Sequence, residues 1–298
     1  MWPFQRNRDP DAGRIDPADG DPTARALAGF MRAGDWRGVR DILAEATEPD
    51  TRACLLESAV EAGGAGDWIG GWARAEPDST LPGLVRGCHA TRDDPAAAER
   101  ILGDVVRRDP DEVTARTWLL ISGRRLGIGA DEARDRFDQV VRRWPGHLIG
   151  YEQRMRYLSL RACGTGRQMF AFAREAMLKA KPGSLLPGLL PLAHLEQAAT
   201  MTAGAARDYL HEATVRADLL TAAGHSLFHP DFAPAIGWTR RANVFAAAFH
   251  LAGEHHAAAR VFDLIGDRVS ARPWIFFDPT DPVRLFTGAR TEAYNRRF

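Results

Sequence analysis

Four times this sequence closes an amphipathic stretch with a basic residue three positions before a proline: Arg74-Ala75-Glu76-Pro77, Arg107-Arg108-Asp109-Pro110, Arg142-Arg143-Trp144-Pro145 and Lys179-Ala180-Lys181-Pro182. The prolines are 33, 35 and 37 residues apart. Self-similarity at such a spacing marks an array of one repeated supersecondary unit. Proline's fixed φ and missing N–H end one helix and admit a new start just beyond, so each unit is predicted to be a pair of helices. Glu48-Pro49-Asp50 reads as a weaker, earlier member. Through the first two hundred residues β-branched side chains are sparse and alternation is not sustained, so no strand is predicted there.

The helical pattern begins near Thr23. Leu27, Phe30 and Met31 share a face, Gly34-Asp35 breaks the run and caps the next, and Val39, Ile42 and Leu43 form a second stripe that stops before Pro49. Residues 1–22, with four prolines and five aspartates, read as a flexible arm. Residues 23–223 are expected to hold the repeats, including helices over 185–201 and 205–223. Within 224–267, the break GHSLFHPDFAPA precedes a final helix pair near 236–252 and 254–267. Residues 268–298, rich in proline and aromatics, are expected to be an irregular tail packed on the helical body, since disordered segments seldom carry such apolar weight. Capping the last pair is the favoured role for this tail, and filling the groove the alternative.

The pattern resembles the tetratricopeptide repeat, whose period is 34 residues. Ala98, Leu102, Val105 and Pro110 match its second helix, as do Ala133, Phe137, Val140 and Pro145. Val85 occupies a first-helix core place, while Pro82 and His89 depart from the usual aromatics and Trp118 is one place out of register. Phe245, Phe249, Ala258, Phe262 and Ile265 form a late unit in which Ser270 replaces the proline. The resemblance spans roughly residues 25–205 and 238–267. It implies an all-α fold: a right-handed superhelix of antiparallel helix pairs (a tetratricopeptide-like α-solenoid). It also implies a concave groove that takes a protein or peptide. Stacking gives a physical reason, because a short helix pair cannot bury both apolar faces against itself. An irregular all-helical domain with accidental proline spacing is the plain alternative.

Composition narrows the partners. Lys plus Arg balance Asp plus Glu at 39 each, so nucleic acid is not expected as a partner. Only Lys179 and Lys181 are lysines, an arginine-heavy usage resembling a high-GC actinobacterial proteome, which bears on origin and not on function. Cys54, Cys88 and Cys163 form no CxxC, which argues against a disulfide framework or a cysteine-rich zinc site. No apolar leader or 18-residue apolar window is seen, so neither a membrane partner nor export is expected and the location read is cytoplasmic. Gly63-Gly64-Ala65-Gly66 lacks a phosphate-loop or dinucleotide signature, and no GxSxG elbow occurs.

Two sets of residues are candidates for function. Glu152, Arg154, Arg156 and Tyr157 follow Pro145 and are expected on the groove side, with Trp274 as an aromatic anchor from the tail. Arginine forks suit a carboxylate or a peptide terminus; the plain reading is a solvated face with local pairs. Arg107-Arg108 and Arg142-Arg143 at helix C-termini need no ligand, because the helix dipole favours them there. The second set draws on the seven histidines of nine that fall between His194 and His256. His194, Glu196, Tyr209 and His211 are catalytic candidates, and His225, His229 and Asp231 weak metal candidates. No cofactor is predicted, a bound metal being the weaker alternative to scattered structural histidines. The favoured function is a non-catalytic protein- or peptide-binding scaffold. The alternative is an enzyme or accessory protein of specialised metabolism, holding a small molecule in the His-rich half, and a third is an adaptor that docks its own tail reversibly.

Overall fold

The computed structural model describes residues 14–297. They form sixteen α-helices and two short 3₁₀ turns, with no strand among the described residues, and no helix is long and apolar enough to cross a membrane. One local device recurs: an acidic N-cap followed by proline at the first helical position. It starts α1 (Pro22–Ala33), α3 (Pro49–Ala62), α6 (Pro95–Arg108) and α16 (Pro282–Asn295), where Asp21, Glu48, Asp94 and Asp281 each accept a hydrogen bond from a first-turn N–H. Proline lacks the N–H that would be unsatisfied there anyway, and the carboxylate favours the positive end of the helix.

The remaining helices lie between these along the chain. They are α2 (Trp36–Glu45), α4 (Trp68–Ala75), α5 (Leu81–Asp93), α7 (Val113–Leu126), α8 (Ala130–Arg143), α9 (Leu148–Tyr157) and α10 (Gly166–Lys179). After them come α11 (Leu189–Ala198), α12 (Ala203–Leu210), α13 (Ala213–His225), α14 (Trp238–Leu251) and α15 (His255–Ile265). Pro77, Pro110, Pro145 and Pro182 occupy equivalent joints: each follows an even-numbered helix, α4, α6, α8 or α10, and precedes the next helical segment. The odd-numbered helices touch in order, α1–α3, α3–α5, α5–α7, α7–α9 and α9–α11, and α3 also meets α7 and α9. Close approach of α5 to α6 needs Gly87, where a Cβ would come within 2.6 Å of the Leu102 side chain.

Buried apolar side chains of α1–α7 form one cluster and those of α9–α16 another, with α9 serving both through Ile149 and Met155. A smaller cluster of Val113, Leu120, Phe137 and Val140 lies between α7 and α8.

Three expectations are corrected. The arm is not loose over its described part: Asp16 accepts from Arg25, and Asp19 is buried against Arg240 and Ser270, while residues 1–13 lie outside the described residues. The run 205–223 is two helices, because the buried pair Ala206/Leu210 and the buried set Val215/Leu219/Ala222 are out of helical phase, and the break at His211-Glu212 turns both inward. The tail is not irregular throughout: Phe286, Ala289 and Ala293 share one face of α16 and pack on α14 and α15. The other face of α16 exposes Arg284, Thr287, Thr291 and Asn295, a polar surface of the kind that closes a stack of helices.

Candidate functional site

Helices α3, α5, α7, α9, α11 and α14 each contribute to the wall of a cavity of about 240 Å³. Glu57 and Glu61 on α3, Arg124 on α7, Glu152 and Arg156 on α9, and Arg240 and Arg241 on α14 line it, and Ser270–Pro273 of the tail segment completes the wall. The spacing is helical: Glu57/Glu61 and Glu152/Arg156 are i,i+4 pairs, so each helix contributes a single stripe. Seven arginines line the cavity against three glutamates.

One wall is neutralised. Arg241 donates from Nε and Nη2 to Glu152 Oε1 and Oε2 at 2.7 and 3.0 Å, a buried two-pronged pair, and its Nη1 is 3.1 Å from Glu57. Arg240 donates to Asp19 at 2.9 Å and to Glu61 at 2.8 and 3.0 Å. Burial by itself would raise the Glu57 carboxyl, but Arg241 and Arg240 draw it down to about 2. Burial disfavours the Arg241 cation, yet Glu152 and Glu57 hold it well above the usual arginine range. Glu61 is raised by burial despite Arg240, with the neighbouring Glu57 and Asp19 charges adding to the rise.

The opposite wall keeps its charge. Arg124 Nη2 reaches only Gln153 Oε1, at 3.2 Å, and its buried Nε has no acceptor. Arg156 Nε is likewise buried without an acceptor, the Glu196 carboxylate lying 3.9 Å away. Exposed Arg272 enters from the tail segment and has no carboxylate partner among the described residues. Burial, then Arg156 and Arg272, push the Arg124 guanidinium down to about 10, and Arg156 lowers Arg272 in turn. Three cations thus face one space with donors unspent. Chemically, fixed charge and N–H donors in a partly desolvated setting are what an anion needs in order to bind.

Of the residues expected in a groove, Glu152 and Arg156 line the cavity. Arg154 and Tyr157 are on other faces of α9: the Arg154 guanidinium lies over the Tyr157 ring at 5.5 Å, and the Tyr157 hydroxyl donates to Ile128 O at 2.6 Å. Trp274 is fully buried, with Phe262 and Phe286 around it, and its indole donates to Asn243 Oδ1 at 2.8 Å. Its place is therefore a core anchor, not a binding surface, because its polar edge is already satisfied inside the fold.

The histidine set does not gather. His194 Nδ1 lies 2.6 Å from the Tyr209 hydroxyl and Nε2 lies 3.2 Å from Asp218, away from the cavity, while Glu196 turns toward Arg156 and Arg161. Burial lowers His194 against the pull of Asp218, and burial raises Tyr209. His211 is exposed. His225 ends α13, whereas His229 Nδ1 accepts from the backbone of Asp231 in the following turn. Among the described residues no three His, Cys, Asp or Glu side chains are grouped to hold a metal ion.

Arg124, Arg240, Arg241, Arg272 and Glu57 were not singled out from sequence. One signal was legible: Arg240-Arg241 lie in the first turn of α14, where the helix dipole disfavours cations, so a carboxylate partner elsewhere was implied. Comparison with protein-family models, curated proteins and solved structures finds no match to this chain, so the tetratricopeptide likeness rests on its own residue pattern.

Proposed function

We propose that this chain is a non-catalytic binding scaffold. Its helix pairs stack in tetratricopeptide-like fashion, as a right-handed superhelix, and the row of first helices offers the arginine-lined cavity to an anionic group of a protein or peptide. The equivalent joints at Pro77, Pro110, Pro145 and Pro182 and the ordered contacts of odd-numbered helices support the stacking. The observation that carries the binding role is the pair of buried, acceptorless Nε–H groups on Arg124 and Arg156 at the cavity wall. Leaving such donors unpaired costs about 1–3 kcal/mol each, a cost that an arriving anion removes. A cavity of about 240 Å³ takes a side chain or a chain end, not a folded domain.

The test is an array of capped peptides graded in Asp and Glu content, probed with the full chain. Retention is expected to rise with acidic content and to fall at least about tenfold for Arg124→Met with Arg156→Met, as loss of charge-assisted bonds requires. Retention indifferent to acidic content, or to the two substitutions, overturns the reading.

A further inference from the structure

We propose that the anchoring group taken by this cavity is a dianionic phosphate monoester, borne on a phosphorylated serine or threonine of the bound peptide, and not a carboxylate. This rests on the peptide-scaffold reading above and specifies its ligand.

Charge balance is the first argument. Asp19 pairs with Arg240, and Glu196 lies 3.9 Å from both Arg156 and Arg161, so the cavity lining and these neighbours hold eight guanidiniums against five carboxylates. The surplus is three positive charges. One carboxylate cancels a third of it; a phosphate monoester, at close to two negative charges near neutral pH, cancels most of it. The surplus is also localised. Asp19, Glu57, Glu61 and Glu152 are engaged by Arg240 and Arg241. Of the other arginines, Arg92 and Arg125 donate to the Val60 and Thr91 carbonyls and Arg161 lies at the edge beside Glu196, which leaves Arg124, Arg156 and Arg272 as the cations facing the cavity without a bonded carboxylate.

Donor geometry is the second. The three cations come from three separate elements, α7, α9 and the 270–273 segment, and so approach one space from three directions. A carboxylate has two oxygens in one plane, and a single guanidinium fork already engages both. A phosphate monoester has three terminal oxygens arranged tetrahedrally, one for each cation. Glu196 lies 3.9 Å from the guanidiniums of both Arg156 and Arg161, too far to consume their hydrogen bonds but near enough to keep Arg156 in place.

Titration calorimetry on the full chain at fixed ionic strength separates the outcomes. The probes are N-acetyl-phosphoserine amide, N-acetyl-glutamate amide and inorganic phosphate. Phosphoserine is expected to bind at least about tenfold more tightly than glutamate and to lose at least about tenfold in Arg124→Met and in Arg272→Gln. The second variant alters an exposed side chain and so leaves the fold intact. Arg107→Met, at an exposed pair with Asp104, is the control expected to change nothing. Equal binding of glutamate and phosphoserine overturns the dianion assignment while leaving an anion-binding scaffold standing. Binding of inorganic phosphate with exclusion of phosphoserine overturns the peptide source. Failure of all three probes overturns both this inference and the scaffold reading beneath it.

Discussion

Arg241 is surrounded so completely that its partners are as much a part of the fold as any leucine. Its side chain and that of Glu152 are nearly inaccessible, and neither charge is tolerable without the other. Arg241→Met is therefore expected to cost about 3–5 kcal/mol in chemical denaturation, because it strands Glu152 and part of the Glu57 charge. The double variant Arg241→Met/Glu152→Met is expected to recover a large part of that loss, and a double variant no more stable than the single one refutes the pairing account. Glu57 has its own pH signature. Its folded carboxyl is depressed from 4.5 to about 2, so its stabilisation is fully present above pH 4.5 and is lost as pH falls toward 2. Asp50, held by His147, Leu148 and Trp144 and likewise lowered despite its burial, acts in the same direction. Glu61 is raised by burial, so its protonation favours the fold as acid is added and offsets part of the loss. Glu57→Gln is expected to flatten the acid limb of a Tm-against-pH curve; an unchanged slope below pH 4.5 contradicts the assignment.

Helices here owe their ends to local chemistry and their faces to distant neighbours. The Asp21-Pro22 start of α1 lies one residue from the beginning read near Thr23, because capping involves only adjacent residues. Helix α16 shows the converse. Prolines at 273, 279 and 282 made the tail look irregular, although Pro282 in fact begins a helix whose Phe286 packs edge-on against Phe262 and Trp274 at 5.4 and 5.5 Å. Phe286→Ala is expected to cost about 3–5 kcal/mol and to weaken the near-ultraviolet circular dichroism of Trp274. A loss under about 1 kcal/mol, the size of an ordinary surface change, argues that α16 does not cap the core. The break between α12 and α13 was missed for a related reason. No glycine or proline marks it, and only the requirement that both apolar stripes meet the same core interrupts the helix.

A simple helical array, in which each unit meets only its neighbours, unfolds in pieces. This chain has ties that a linear array lacks. Thr239 donates to Asp19 O, Ser270 donates to Asp19 Oδ1 at 2.7 Å, and Arg240 joins Asp19 to Glu61, so the beginning and the end of the described chain are clamped together. Thermal and denaturant unfolding are therefore expected to be a single transition, coincident by far-ultraviolet circular dichroism and tryptophan fluorescence. Asp19→Ala with Arg240→Met is expected to separate the two probes or to lower the denaturant slope. Separate transitions already present in the unaltered chain count against the clamp.

The division between legible and illegible follows from the range of each interaction. Helical class, the joints at the four prolines and the close-packed Ala98 and Leu102 could all be read along the chain, because periodicity, capping and side-chain size act within a turn or two. Glu152 and Arg156 were also found, since i,i+4 spacing puts them on one face. Arg240, Arg241 and Arg272 were not. Arg240 meets Asp19 across 221 positions and Arg241 meets Glu152 across 89. A guanidinium in a sequence carries no mark of whether water or a carboxylate will solvate it. That choice is made when the helices pack: Arg241 is brought against Glu152, whereas Arg124 and Arg156 are left at the cavity wall with buried Nε–H groups that no acceptor reaches.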